Sequence, residues 1–207
     1  MLNAVIDISH HNTVASFQQG KDNGIVGVIH KATQGRTVID AKYHARRQRA
    51  LDVGLLWGAY HFGTKGNVGQ QVDHFLETTT PTDTDLLVLD FEPDGVSGTM
   101  LRSEAEEFVT LVNQRIGRFP GLYSGQSFLR EKVGSNTTTV LKNCFLWVAR
   151  YSSQQPEPPP AWNTFTFWQY TDGNMGDQPH QVPGIGRCDR DKFNGSLDGL
   201  KRLWGVT

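Results

Sequence analysis

A chain of 207 residues with 37% hydrophobic and 20% charged residues can bury a packed core, which excludes a disordered chain. The formal net charge of −1 lacks the basic excess that duplex nucleic acid demands of a partner that displaces its counterions. No apolar run approaches the ~20 residues that span a bilayer, and the opening MLNAVIDISHH lacks the basic-then-apolar pattern of a secretory leader.

Taken in order, the pattern predicts a strand over Ala4–Ile8 and another over Gly27–Lys31, then a helix over Asp40–Val53 that stops at Gly54, a C-cap residue. The strand Leu56–Phe62 leads to the helix Val68–Thr78, and the strand Leu86–Phe91 to the helix Ser103–Ile116, where Ser103 and Glu106 read as a capping box. The strand Gly121–Ser124 precedes the helix Ser127–Val133. Strands follow at Phe145–Ala149, at Thr164–Tyr170 and around Arg187–Asp191, and Ser196 caps a last helix to Leu203. Alternating strands and helices define an α/β chain with a parallel sheet and helical crossovers. Eight strands suggest a barrel that begins as βα units and ends in hairpin-like strands, because helical periodicity fades after Val140 and QQPEPPP (154–160) reads as an irregular loop. No internal repeat or linker divides residues 1–207, so one barrel domain is expected.

The strongest chemical signal is LLVLDFEPDG (86–95). Residues i and i+2 of a strand face the same side, about 6–7 Å apart. Asp90 and Glu92 therefore share one face at the C-terminal end of a buried strand, the end that carries the active site in parallel barrels. Neighbouring buried carboxyls disfavour each other's ionisation, so one can stay protonated near neutrality and serve as a general acid. Asp7 ends another apolar run, and Asp189 and Asp191 lie near the C-terminus. Closure of a barrel sets its last strand beside its first, which brings Asp189 toward Asp7. Polar and aromatic residues recur at other strand ends: His30 and Lys31, Tyr60 and His61, Tyr123 and Ser124, Trp147 and Arg150, and Trp168, Gln169 and Tyr170. A set repeated across strands resembles a lined cleft, and aromatic faces suit sugar rings. No H-E-x-x-H, zinc-type cysteine spacing, phosphate loop or nucleophile elbow occurs, so no metal or cofactor is expected. Cys144 and Cys188 read as buried free thiols, and YHARRQR (43–49) as a solvated basic face.

The ordered series VIDISHHN (5–12), HKATQG (30–35), GAYHF (58–62), LVLDFE (87–92), GLYSG (121–125), LWVARY (146–151), FWQYT (167–171) and CDRDKFNG (188–195) resembles the glycoside hydrolase family 25 lysozymes, the Chalaropsis-type muramidases. The resemblance implies a modified TIM-like β/α barrel of about five βα units and three further strands. It implies peptidoglycan as substrate, cut at the β-1,4 bond between N-acetylmuramic acid and N-acetylglucosamine, and no cofactor. Matched by motif, Glu92 takes the general-acid place and Asp90 that of the group stabilising the 2-acetamido substituent. Asp7 and Asp189 take flanking places. Tyr60, His61, Lys31, Tyr123, Trp147, Gln169 and Asp191 are expected to bind substrate. The chain departs from the family pattern at Gln34, where Glu is common, at Asp191, where Asn is usual, and at Cys188. A retaining, substrate-assisted reaction is expected, carried out by a monomer in the periplasm or extracellular wall. Without a leader, release would come from lysis, a phage holin or a dedicated secretion system, with a delivery or targeting partner. The rival readings are a non-catalytic wall-binding barrel, an amidase or peptidase holding a metal on His30 and His61, and a chitinase-like barrel, whose longer acidic signature is missing at Leu87 and Val88.

Overall fold

The computed structural model describes residues 1–206. Five βα units come first: β1 (Leu2–Ile8) with α1 (Phe17–Asp22), β2 (Gly27–Gln34) with the short hairpin strand β3 (Val38–Ile39) and α2 (Tyr43–Asp52), β4 (Leu56–Phe62) with α3 (Val68–Thr79), β5 (Leu86–Asp90) with α4 (Arg102–Ile116), and β6 (Gly121–Gly125) with α5 (Gln126–Val133). Strands β7 (Leu146–Ala149) and β8 (Phe167–Thr171) follow. A two-stranded hairpin, β9 (Gln181–Val182) and β10 (Gly186–Arg187), precedes β11 (Asp189–Phe193) and α6 (Leu197–Leu203). The order β1-β11-β8-β7-β6-β5-β4-β2, closed by β1 against β2, makes an eight-stranded barrel. All its pairings are parallel except those of β11, which runs antiparallel to both β1 and β8. This is the expected architecture, with the hairpin-like ending set by β8 and β11.

Two apolar layers hold the barrel. The outer one packs Ile6, Val28, Trp57, Leu87, Leu89 and Val148 against Phe75, Phe108, Val112 and Leu129 of the helices. The inner one fills the N-terminal half of the lumen with Val5, Ile29, Leu86, Val88, Phe167 and Phe193, stoppered by Leu200 and Trp204 of the last helical segment. The Trp204 indole donates to the Trp57 carbonyl at 2.8 Å, so its one polar atom is satisfied inside the plug. Each such apolar side chain contributes about 1.5–3 kcal/mol on burial.

Several local expectations change. Helix α1 escaped the sequence pattern. It is six residues long, is capped by Ser16, whose hydroxyl accepts from Gln19 N–H, and buries only Phe17 and Gly20. The capping box moves: α4 starts after Leu101, and Glu104, not Glu106, accepts the Leu101 N–H at 2.7 Å and also the Gly66 N–H at 2.8 Å. Ser103 lies inside the helix, while Glu106 accepts from the Thr139 hydroxyl. The last barrel strand starts two residues later than expected, because Gly186 and Arg187 pair with β9 instead. Gly54 does close α2, at φ 73°. The basic stretch on α2 is a solvated face only in part: His44, Ala45, Gln48 and Arg49 are exposed, but its arginines are engaged. Arg46 is buried and donates to the Ser9 and Asn12 carbonyls, Arg47 pairs with Asp85, and Arg49 donates to the Ala15 carbonyl beside the Phe17 ring. Arg46 and Arg49 pin the β1–α1 connection, and Arg47 ties α2 to the segment before β5. Both cysteines are buried free thiols. Among the described residues no helix is long and apolar enough to cross a membrane.

Candidate active site

Strand parity decides which side chains reach the lumen. On β5, Leu86 and Val88 belong to the inner layer and Leu87, Leu89 and Phe91 to the outer one, so Asp90 points inward, and Glu92 follows two residues on. On β1, Val5 is inside and Ile6 and Ile8 are outside, which turns Asp7 inward. The antiparallel register sets Asp189 opposite Asp7 and Asp191 opposite Val5. Tyr123, Trp147 and Gln169 take inward positions on β6, β7 and β8. The result is a cleft of about 150 Å³ at the C-terminal mouth, lined by Asp7, Tyr60, Asp90, Glu92, Tyr123, Trp147, Tyr151, Gln169 and Asp189. A second hollow of about 440 Å³ shares Glu92 and Tyr151 with it and runs out over Gly125–Phe128 and Ala149–Arg150. The two together form a groove with Glu92 on the wall between them.

The acids are crowded and poorly compensated. Gln169 donates from Nε2 to Asp7 Oδ2 at 2.8 Å and to Asp189 Oδ2 at 3.3 Å. Its Oε1 accepts from the hydroxyls of Tyr123 at 2.7 Å and Tyr151 at 3.0 Å. Asp191 Oδ1 accepts from the Trp147 indole at 2.7 Å. Asp90 Oδ1 and Asp191 Oδ2 are buried without a partner. Burial, then the charge of Glu92, holds Asp90 well above the usual carboxylate range, while Lys31 pulls it down. Burial raises Glu92. Burial and the charges of Asp189 and Asp191 raise Asp7, and burial followed by Asp172 pushes Asp189 up to about 7. Burial and mutual repulsion thus favour the protonated forms within this cluster, as a general acid requires.

Of the residues expected here, Asp7, Asp90, Glu92, Asp189, Tyr60, Tyr123, Trp147 and Gln169 converge on the cleft. Three expected contacts fall elsewhere. His61 is adjacent to Tyr60 on β4 and so takes the opposite face. It is fully buried among Phe75 and Phe108, bonded to Thr33 and Gln71, and its pKa falls to about 3 through desolvation. Asp191 points inward one layer below Asp189. With 0% exposure beneath Trp147, it has no surface to offer a sugar. Lys31 stands beside the cleft, donating to Gln34 Oε1 at 2.7 Å, and reaches the chemistry through its charge on Asp90. Tyr151 was not singled out in the sequence. It follows Trp147 and Ala149 at two-residue steps, so parity carried forward from Trp147 would have found it.

A β/α barrel whose C-terminal mouth joins a same-face Asp–Glu pair to an aromatic-walled groove defines a glycoside hydrolase. The chain belongs to glycosyl hydrolases family 25, whose family model matches residues 6–177. It is 30% identical over 212 residues to Lysozyme M1 of Streptomyces globisporus, covering 96% of this chain and 70% of that one. The muramidase of Trichobolus zukalii superposes with a TM-score of 0.83 at 29% identity, covering 98% of both chains. That of Acremonium alcalophilum gives 0.84 at 27% identity over 99% of each. Strand β11, with Asp189 and Asp191, lies beyond the family-matched residues but within a barrel that those two structures share almost end to end.

Proposed function

We propose that this enzyme is an N-acetylmuramidase that cuts the β-1,4 bond between N-acetylmuramic acid and N-acetylglucosamine in peptidoglycan, with Glu92 as general acid. The observation that carries the reading is the Asp90–Glu92 pair held on one face of β5 at the groove floor. Lys31 draws the Asp90 pKa down against its burial, and the working proton of the pair is assigned to Glu92, which stands where the cleft meets the second hollow. Glu92 gives that proton to the glycosidic oxygen as the bond to the anomeric carbon breaks. The 2-acetamido carbonyl oxygen of the same sugar bonds to that carbon, and the ionised Asp90 stabilises the positive oxazolinium ring. Glu92, now a carboxylate, takes a proton from water. The hydroxide adds to the anomeric carbon from the face the leaving group vacated while the bond from that carbon to the acetamido oxygen breaks, which restores the acetamide, gives retention and leaves Glu92 reprotonated. Asp7 and Asp189 flank the pair and tune its charge. Tyr60, Tyr123, Tyr151 and Trp147 supply walls for the sugar.

The amidase or peptidase reading has no support in the site. His30 and His61 both face the helical layer, where Arg46 and the Lys31 carbonyl, and Thr33 and Gln71, already engage them. On this reading the enzyme works in the bacterial wall, in the periplasm or outside the cell, and we propose that it does so as a monomer. Incubation with purified peptidoglycan, followed by mass spectrometry of the released muropeptides, tests the bond cut: new reducing-end N-acetylmuramic acid supports the reading, and free amines from cleaved cross-links overturn it. Early-time NMR of the product anomer tests retention.

A further inference from the structure

Gln169 is 1% exposed and sits between two sets of hydrogen-bonding groups. On one side are the Asp7 and Asp189 carboxyls, on the other the Tyr123 and Tyr151 hydroxyls. A primary amide has one accepting end and one donating end. Carboxylates accept, so the amide nitrogen must face Asp7 and Asp189. Asp7 can itself carry a proton without disturbing this, because the Asp191 carboxyl one layer below bonds to it and can receive that proton. The carbonyl end is then committed to the tyrosines, and both must donate to it. A tyrosine has one proton. Tyr123 and Glu92 line the same cleft, and a bond donated from the Tyr123 hydroxyl to Glu92 would lower its pKa by stabilising the anion. Gln169 and Glu92 therefore compete for a single hydrogen atom.

We propose that Gln169 is a positioning residue that keeps Glu92 in its acid form by drawing the Tyr123 hydroxyl proton away from it. Glu92 is thereby left without the donated proton that would favour its carboxylate. The orientation propagates from the chain termini: the acids of β1 and β11 set the amide, the amide sets the phenol, and the phenol sets the acid on β5. This inference rests on Glu92 being the general acid. The charged and titratable groups that share Glu92's two hollows are Asp90 on its own segment, Tyr123 on β6, Tyr151 and Arg150 after β7, Asp189 on β11, Asp7 on β1 and Tyr60 on β4, with Lys31 acting on Asp90.

The test is a cycle of kcat/KM pH profiles on a soluble muropeptide oligosaccharide. A general acid works only while protonated, so activity falls as pH rises through its pKa. In Gln169→Met the hydroxyl is released to Glu92, and the alkaline limb should move down by about one to two pH units, the worth of a hydrogen bond to an ionised group. Loss of the Gln169 amide also changes the charge on Asp7 and Asp189, so the decisive variant is Gln169→Met/Tyr123→Phe. There the downward shift should disappear. Tyr123→Phe alone, whatever it does to the rate, should leave the limb in place. An upward shift of about one unit in Tyr123→Phe, or equal downward shifts in Gln169→Met with and without Tyr123, overturns the proposal. If Gln169→Met does not fold, the Glu92 pKa measured by carboxyl NMR in the parent and in Tyr123→Phe decides alone: equal values support the proposal, and a rise in the variant refutes it. Full activity in Glu92→Gln would instead remove the general-acid reading itself.

Discussion

The barrel wall carries two buried polar clusters, one on each face, and they are built on opposite terms. Outside the wall, His61 accepts at Nδ1 from the Thr33 hydroxyl and donates at Nε2 to Gln71 Oε1. Gln71 Oε1 also accepts from Thr64 N–H, and its Nε2 donates to the Thr64 and Gly66 carbonyls. This cluster is neutral and each side-chain atom named has a partner. Inside the wall, Asp7, Asp90, Asp189 and Asp191 crowd together with surplus acceptors, and two carboxyl oxygens have no partner at all. Complete satisfaction marks a cluster that serves the fold, and an unsatisfied one marks stored free energy that a reaction can use.

Four experiments break or sharpen that contrast. Glu92→Gln should lower peptidoglycan lysis by at least ~100-fold with an unchanged melting temperature, since it removes the proton donor alone. Asp90→Asn should follow, with a loss of tens of fold in kcat that is not recovered at any pH. On the outer face, Gln71→Leu leaves the His61 ring and the Thr64 amide unpaired. It should cost about 2 kcal/mol in denaturant unfolding while turnover per folded molecule is kept. A matching loss of kcat would mean that the two faces are coupled. The smallest effect belongs to Asp191→Asn. Burial and the charge of Asp189 raise the Asp191 pKa in the fold, so the native state binds more protons than the unfolded chain above about pH 4 and stability falls as pH rises. The variant should melt a few degrees higher than the parent at pH 7, with the gap closing toward pH 4. A gap independent of pH would show that the gain comes from packing.

Much of this site is written in the two-residue period of the strands. Asp90 and Glu92 could be placed together because the apolar run before them fixes their face, and Asp7 and Asp189 because a closed barrel must join its ends. The same period was enough to exclude His61 once Tyr60 was inside, and to include Tyr151 once Trp147 was. Depth is what parity leaves open: Asp189 and Asp191 point the same way, yet only the register against β1 puts one in the cleft and the other beneath it. The start of α4 was illegible for a different reason. Glu104 is held partly by the Gly66 amide, 38 residues away, and no local pattern records that. Helix α1 and the β9–β10 hairpin are too short for a periodicity to develop.

The pairing of β1 with β11 also governs when the enzyme can first act. A ribosome must deliver residue 193 before Asp189 and Asp191 can meet Asp7, and β11 is the strand that bridges β8 to β1. A nascent chain holding every residue through Thr171 would carry the proton donor and Asp7 but lack Asp189, the second acid that orients Gln169. Closure of the barrel, and with it the complete acid cluster, therefore waits for β11.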